Sequence, residues 1–379
     1  MKYLTGKILA IASLAILSLS MPSCVKESDE PDRTDVTEQP ENPEQPDDNE
    51  NDNDGQLPEV PVTLPEFAKG ADVSWLTELE DKGYVFFAPD GNKAECMQLL
   101  RDCYGLNSIR LRVWVNPSDR YNSIQDVMVK ARRAHDLGLS LMIDFHLSDT
   151  WADPASQTVP AAWIRFTPEQ LCEAIKGHVK DLLSQMLEEG IAPAWVQIGN
   201  ETSQGMLFPS GKMSGSNAAE FPRYLNAGYE AVKALSPNTK VIVHLPNGYD
   251  TGLYTWFFDL VERHGGKYDM IGMSLYPETE TWPMETIESQ VDECISNIGM
   301  LGKRYGKDVM ICETGFHYSR GEEAFRVIRK IIDNADNGRL KGIFYWEPEA
   351  PEHYNGGYDK GCFVNGCPNK ALEAFKQTR

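Results

Sequence analysis

What the 379-residue chain lacks narrows its class first. None of its eight cysteines stands in a C-x-x-C or similarly close metal-ligand spacing, which argues against a thiolate zinc site. No G-x-x-x-x-G-K-[ST] stretch occurs, and no Gly-rich turn follows an early strand. Both absences argue against nucleotide binding on an open, doubly wound sheet. Positive charge is scarce: 36 Lys and Arg stand against 57 Asp and Glu, a formal net charge of −21. Such a surface repels polyanions at long range, so nucleic acid is not an expected partner and a neutral or cationic one is. The apolar run "ILAIASLAILSLS" near the start is short for a membrane span.

That run follows Lys2 and Lys7, and residues 1–23 read as a secretory signal. It stops at "MPSC", placing Cys24 where a bacterial lipoprotein signal carries its lipidated cysteine, although Met21 and Pro22 are not the usual small residues. The alternative is an ordinary cleaved signal with an unmodified Cys24. Residues 25–60 hold 14 acidic residues against Lys26 and Arg33 and no aromatic residue, a net charge of −12. Such a segment cannot bury enough apolar surface to offset its ordering entropy, so a disordered spacer is expected over residues 24–60. Its onset, "CVKESDEPD", resembles the acidic export signal of Bacteroides-type surface lipoproteins; plain solubilising charge is the alternative. These readings place the protein in the cell envelope, at the outer-membrane surface, touching the lipid membrane through Cys24 only.

Residues 61–379 form the folded part and carry −11 once the spacer and the two signal lysines are set aside. Apolar, β-branched runs recur at "FAKGADVSW", "SIRLRVWV", "LSLMIDFHL", "AWVQIGN", "KVIVHLPN", "DMIGMSLYP", "DVMICETGF" and "KGIFYWEP". Between them, as in "QDVMVKARRAHDLG" and "PEQLCEAIKGHVKDLLSQMLEEG", apolar residues recur at three and four, the helical period. Near-continuous apolar strands suit a parallel sheet covered on both faces. Eight strand–helix pairs in a chain of this length predict a single (β/α)₈ TIM barrel, with an open α/β sheet as the alternative. Cys362 and Cys367 flank a short loop and could pair or remain free thiols.

Polar residues collect where the proposed strands end. The first offers Asp72, Ser74 and Trp75, and the second Arg110, Arg112 and Trp114. The third offers Asp144 and His146, followed by Trp151 and Asp153. Asn200 and Glu201 follow the fourth, His244 lies on the fifth, Ser274 and Tyr276 on the sixth, Glu313 on the seventh, and Trp346 with Glu347 on the eighth. In a barrel these ends converge on one mouth, where barrel enzymes place their chemistry. Glu201 and Glu313 would face each other there. Two such carboxyls suit glycoside hydrolysis, one a protonated acid and the other an ionised nucleophile, about 5–5.5 Å apart if the mechanism is retaining. Asn200 could bond a sugar 2-hydroxyl, and Tyr276 could donate to the nucleophile. Trp75, Trp114, Trp151 and Trp346 are candidate sugar platforms.

The segments "GADVSW", "IRLRVWVNP", "DFHLSDTWADPASQTVPAAW", "VQIGNETSQGMLFPSG", "GMSLYP" and "ICETG" resemble, in order, the motifs of glycoside hydrolase family 53, the β-1,4-galactanases of clan A. The resemblance runs over about residues 66–350. It implies retaining hydrolysis of β-1,4-galactan, the neutral side chain of pectin and type I arabinogalactan, with no cofactor required. Glu201 then resembles the acid/base and Glu313 the nucleophile. Asp72, Arg112, His146, Trp151, Asn200, Tyr276 and Trp346 make up the candidate substrate-binding set, and a monomer is expected. Leu147 departs from the Tyr of many relatives. Some bacterial relatives hold a structural calcium ion in a long loop after strand seven, but "GFHYSRGEE" is short here and does not support such a site. The last loop, "EAPEHYNGGYDKGCFVNGCPN", is also unlike the family and is expected to shape one end of the cleft.

Blander readings compete with these. Either carboxylate alone could be a structural partner of an arginine, and Arg110 is read as such a structural pairing. His146, His244 and Asp144 could hold a metal, although a buried, hydrogen-bonded histidine is the commoner case. Trp75 and Trp114 could be packing rather than platforms, and Trp256, Phe257 and Phe258 read as helix core. A glycan-capture lipoprotein without catalysis would normally have lost one carboxylate. A clan relative acting on mannan or cellulose is a further alternative.

Overall fold

The computed structural model describes residues 57–214, 217–277, 282–334 and 338–376. The expected signal, Cys24 and the spacer up to residue 56 lie outside the described residues. The strands are β1 Ala68–Asp72, β2 Ser108–Val113, β3 Ser140–Phe145, β4 Trp195–Ile198, β5 Lys240–Leu245, β6 Met270–Leu275, β7 Asp308–Thr314 and β8 Leu340–Trp346. They pair in parallel in chain order, and β8 returns to β1 to close the expected barrel. Around it lie α1 Cys96–Tyr104, α2 Ile124–Asp136, α3 Pro168–Glu188, α4 Glu220–Leu235, α5 Thr251–Arg263, α6 Met284–Tyr305 and α7 Gly321–Asp333.

Local sequence accounts for the helix bounds. Thr167 and Gln170 form a reciprocal capping box in front of Pro168, so α3 starts where its orphan N–H groups are met. Gly105 and Gly306 take the left-handed conformation that ends α1 and α6. In α7, Ala324, Val327, Ile328, Ile331 and Ile332 form one buried stripe against the barrel. The eighth helix differs from expectation: a six-residue 3₁₀ segment, Lys370–Phe375, takes its place. A short helix, Leu76–Asp81, and a two-stranded ribbon, Phe86–Phe87 with Lys93–Ala94, also precede α1.

The barrel interior is divided by height. Met142, Trp195, Ile242, Met270, Met310 and Phe344 fill its lower part. Gly70 leaves room for Phe344, whose ring would lie 2.2 Å from a Cβ at that position. Above this apolar plug, Asp72, Arg110, Arg112, Asp144, Gln197 and His244 are all buried. Burying so many polar groups is tolerable only if they satisfy one another, so the upper barrel has to be a hydrogen-bonded network.

One smaller expectation changes and two open alternatives are decided. Phe257 and Phe258 are buried, but Trp256 on the same helix is 48% exposed and is not core. Cys362 is buried and Cys367 exposed, and both are free thiols. Trp75 and Trp114 are buried, which settles them as packing beneath the mouth rather than open platforms.

Candidate active site

Glu313 is aimed by an irregularity in β7. Met273 pairs with Ile311, but the next residue, Ser274, pairs with Glu313, leaving Cys312 as an extra residue. Strict alternation would send Glu313 outward, because Met310 and Cys312 already face the interior plug. The bulge resets the phase and turns Glu313 inward as well. There Arg110 reaches Glu313 Oε1 at 2.9 Å, and the Tyr276 hydroxyl donates to Oε2 at 2.9 Å.

Arg110 is the hub of the network. Its Nη1 also donates to Asp72 at 2.8 Å, and its Nη2 donates to Asp144 at 2.8 Å and to the side-chain oxygens of Gln197 and Asn200 at 3.1 Å each. The sequence reading of Arg110 as a structural pairing understates it, since this guanidinium also meets the candidate nucleophile. Gln197 is absent from the candidates that the sequence offers. Its only signal is position: it faces inward two residues before Gly199, paired in register with Asp144.

Glu201 lies just beyond β4 with φ at 45°, a left-handed conformation costly for a residue with a Cβ. Its side chain is half-buried, and Ser274 Oγ stands 2.6 Å from its Oε1. Two motif loops are knitted together beside it. Asn200 Nδ2 donates to the Ala152 carbonyl at 2.9 Å, and Gln157 Nε2 donates to the Asn200 carbonyl at 2.8 Å. This mutual bonding is a physical reason why "SDTWADPASQ" and "GNETSQGMLFPSG" are distinctive together.

The two carboxyls are electrostatically linked. Burial pushes the Glu201 carboxyl up, opposed by Ser274 and Arg110. Glu313 is pushed up to about 8, by burial first and by repulsion from Glu201, against the pull of Arg110. Repulsion of this kind leaves one proton shared by the pair near neutral pH. Two charge-stabilising donors, Arg110 and Tyr276, reach Glu313, against the single hydroxyl of Ser274 on Glu201. The anion therefore belongs on Glu313 and the proton on Glu201.

The proposed binding residues divide by access. Trp151, Trp346 and Tyr276 are half-buried and reach the mouth. Asp72 does not: it is 0% exposed and spends its carboxylate on Arg110 and on Ser74, whose N–H and hydroxyl both donate to it. Arg112, 1% exposed, is likewise withdrawn; it bonds Glu347 at 3.1 Å and lies 4.2 Å beneath the Trp151 ring. Both lie below the accessible mouth and brace it. His146 is also committed. Its Nδ1 accepts from the Ala152 N–H, and its Nε2 donates to Asp144 at 3.0 Å. Burial lowers its pKa, so it is a neutral brace for Asp144. Asn200 Nδ2 spends one of its two hydrogens on the Ala152 carbonyl. Leu147 is buried in the core, so the departure there is one of packing.

Trp75 packs under Trp346 and Trp151 at ring distances of 5.3 and 5.7 Å, with Tyr354 and Tyr358 of the last loop against it at 5.1 and 5.3 Å. The last loop thus supports this end of the mouth, as expected. Among the described residues, no group of three or more His, Cys, Asp or Glu is placed to hold a metal ion.

A parallel barrel whose mouth holds two linked carboxyls on β4 and β7, with tryptophans beside them, has the form of a barrel glycoside hydrolase. The chain belongs to glycosyl hydrolase family 53, whose profile matches residues 68–327. It is 31% identical to the arabinogalactan endo-β-1,4-galactanase A of Emericella nidulans, over 82% of this chain and 93% of that one. It is 28% identical to the endo-β-1,4-galactanase of Bacillus subtilis, over 75% of this chain and 70% of that one. Among solved structures, a fungal β-1,4-galactanase superposes with a TM-score of 0.74 at 29% identity, covering 82% of this chain and 99% of that one. A family 53 catalytic domain from Ignisphaera aggregans gives 0.72 at 27% identity, covering 84% and 98%.

Proposed function

We propose that this protein is a retaining endo-β-1,4-galactanase acting on β-1,4-galactan and type I arabinogalactan. The observation that carries this reading is the pairing of Glu201 with Glu313 in a family 53 barrel, each in an environment suited to its role. Glu313, held ionised by Arg110 and Tyr276, attacks the anomeric carbon. Glu201 protonates the departing oxygen, and the sugar–Glu313 ester forms. Glu201, now a carboxylate, takes a proton from water, whose oxygen displaces Glu313 and releases the product with its β configuration kept. Trp346 and Trp151 offer apolar faces to galactose rings, and the second Asn200 N–H is placed for the 2-hydroxyl. One chain holds both carboxyls, so a monomer suffices.

Charge favours the neutral polymer. The folded region carries −11, and a uronate next to Glu313 would have to be desolvated beside a like charge. The expected result is cleavage of linear β-1,4-galactan with weak salt dependence, no cleavage of mannan or cellulose oligomers, and none of polygalacturonate up to 0.5 M salt, where the Debye length is about 4 Å. NMR of the first-formed product should show the β anomer. Uronic oligomers released at high salt, or an initial α anomer, would refute the reading.

The same proposal places the enzyme at the outer-membrane surface through a lipid on Cys24, with the acidic segment as a spacer. Its support is the signal pattern and the −12 tail. Cys24→Ser is expected to move the protein from the membrane to the soluble fraction with unchanged kcat. Retention of the serine variant in the membrane fraction would contradict lipid anchoring.

A further inference from the structure

Glu347, the residue after β8, ties down the supports beneath the mouth. It is 0% exposed, and its φ of 45° is a left-handed conformation costly for a residue with a Cβ. Its Oε1 accepts from Arg112 Nη1 at 3.1 Å, and its Oε2 accepts from the Trp75 backbone N–H at 3.0 Å. Arg112 Nε and Nη2 have no hydrogen-bond partner among the described residues, so the guanidinium hangs on this ion pair. The rings of Trp75, Trp114 and Trp151 lie about it at 5.8, 5.2 and 4.2 Å. Trp75 in turn packs against Trp151 and Trp346. One carboxylate therefore places both Arg112 and Trp75.

Two residues further on, Glu349 is 1% exposed, and neither of its carboxyl oxygens accepts a well-formed hydrogen bond. A carboxylate there would be buried without compensation, whereas a carboxylic acid needs an acceptor for its one hydrogen. Glu347 is that acceptor, since the two side chains bond each other. Burial, then repulsion from Glu347 and the bond to it, push the Glu349 carboxyl well up; Asp72 adds to this, and its own backbone N–H opposes it. Burial and then Asp72 push Glu347 up as well, but Arg112, Glu349 and the Trp75 N–H pull it back. Arg112 and the Trp75 N–H both stabilise a charge on Glu347, so the pair's proton belongs on Glu349. Lys130, Tyr358, Cys96 and Cys362 also face the pair. Lys130 is committed to Asp126 and the Ser74 carbonyl, and burial pushes the Tyr358 hydroxyl and both thiols up, so they stay neutral.

We propose that Glu349 is a positioning residue, a carboxylic acid that donates its proton to Glu347 and so fixes the carboxylate that holds Arg112 and Trp75 against Trp151 and Trp346. The inference rests on the sugar-platform role given to those two tryptophans above. Glu349 then acts on the binding of galactan and not on the bond-breaking step. With both carboxyls ionised, the pair would repel itself across a buried contact with one guanidinium to share, and the hold on Trp75 would loosen.

In the intact protein with ¹³C-labelled glutamate carboxyls, NMR near neutral pH is expected to show the Glu349 signal at the position of an acid, identified by its loss in Glu349→Gln. Melting tests the same proton by linkage. The folded protein keeps a proton that the unfolded chain releases above about pH 4.3, so wild-type stability falls as pH rises from there toward neutral. Glu349→Gln has no such proton, and its amide still donates to Glu347. Its Tm is expected to gain on wild type by several degrees between about pH 4 and about pH 7. In kinetics, Glu349→Leu, which cannot donate, is expected to raise KM for galactan about 3–10-fold with kcat within about twofold of wild type. Glu349→Gln is expected to keep the wild-type KM. An ionised Glu349 near neutral pH, a Tm difference that does not change with pH, or a wild-type KM in Glu349→Leu overturns the proposal. If the wild-type enzyme does not cleave galactan, the substrate reading fails separately, and NMR and melting still decide where the proton lies.

Discussion

Glu313→Gln is expected to lower kcat on galactan by at least about 10⁴-fold, the scale seen when a covalent nucleophile is removed. An amide cannot form the ester with the anomeric carbon, and no other carboxyl on β7 can replace it. The fold is expected to persist, because Arg110 keeps Asp72 and Asp144 and the side-chain volume is unchanged. Circular dichroism and a melting curve close to wild type, together with the lost turnover, are the checks. A variant that retained a tenth of the activity would rule out Glu313 as the nucleophile.

Glu201→Ala is expected to separate substrates by leaving group. Galactan, whose departing alkoxide needs a proton, is expected to lose about 10²–10⁴-fold in rate. A dinitrophenyl β-galactobioside leaves without help, so its first step is expected to survive and the ester to accumulate. Azide attacks without a base and is expected to restore turnover, giving a β-galactosyl azide. Equal losses on both substrates would refute the acid assignment. The sign of the pH dependence follows from the environment. Burial raises the Glu201 pKa, so the acid form persists toward neutral pH, and activity falls as pH rises through that value.

Much of this protein was legible in its sequence because barrel rules are local and repetitive. Alternating apolar strands and 3.6-period helices gave eight strands in order, and the C-terminal strand ends marked the mouth. Glu201, Glu313, Tyr276, Trp151 and Trp346 lie there. The misreadings have one cause. A sequence places a residue near the mouth but does not say at what depth. Asp72 and Arg112 stand at strand ends, as binding residues do, yet both are fully enclosed, Arg112 against the Trp151 ring. The expected eighth helix fails for a related reason: after β8 the chain forms only the 3₁₀ segment Lys370–Phe375, held by packing against its neighbours.

Composition, periodicity and strand-end chemistry by themselves determined the barrel, the acidic surface and the two carboxyls, since each depends on residues close in the chain. Two matters were decided only by the closed structure. The extra residue at Cys312 turns Glu313 inward, and a bulge exists only against a partner strand. Arg110 joins β2 to side chains on four other strands and on the loop after β4, which assigns the anion to Glu313. Proton positions in a buried network are set by every neighbour at once, and neighbours brought together from distant parts of the chain are a property of the folded barrel alone.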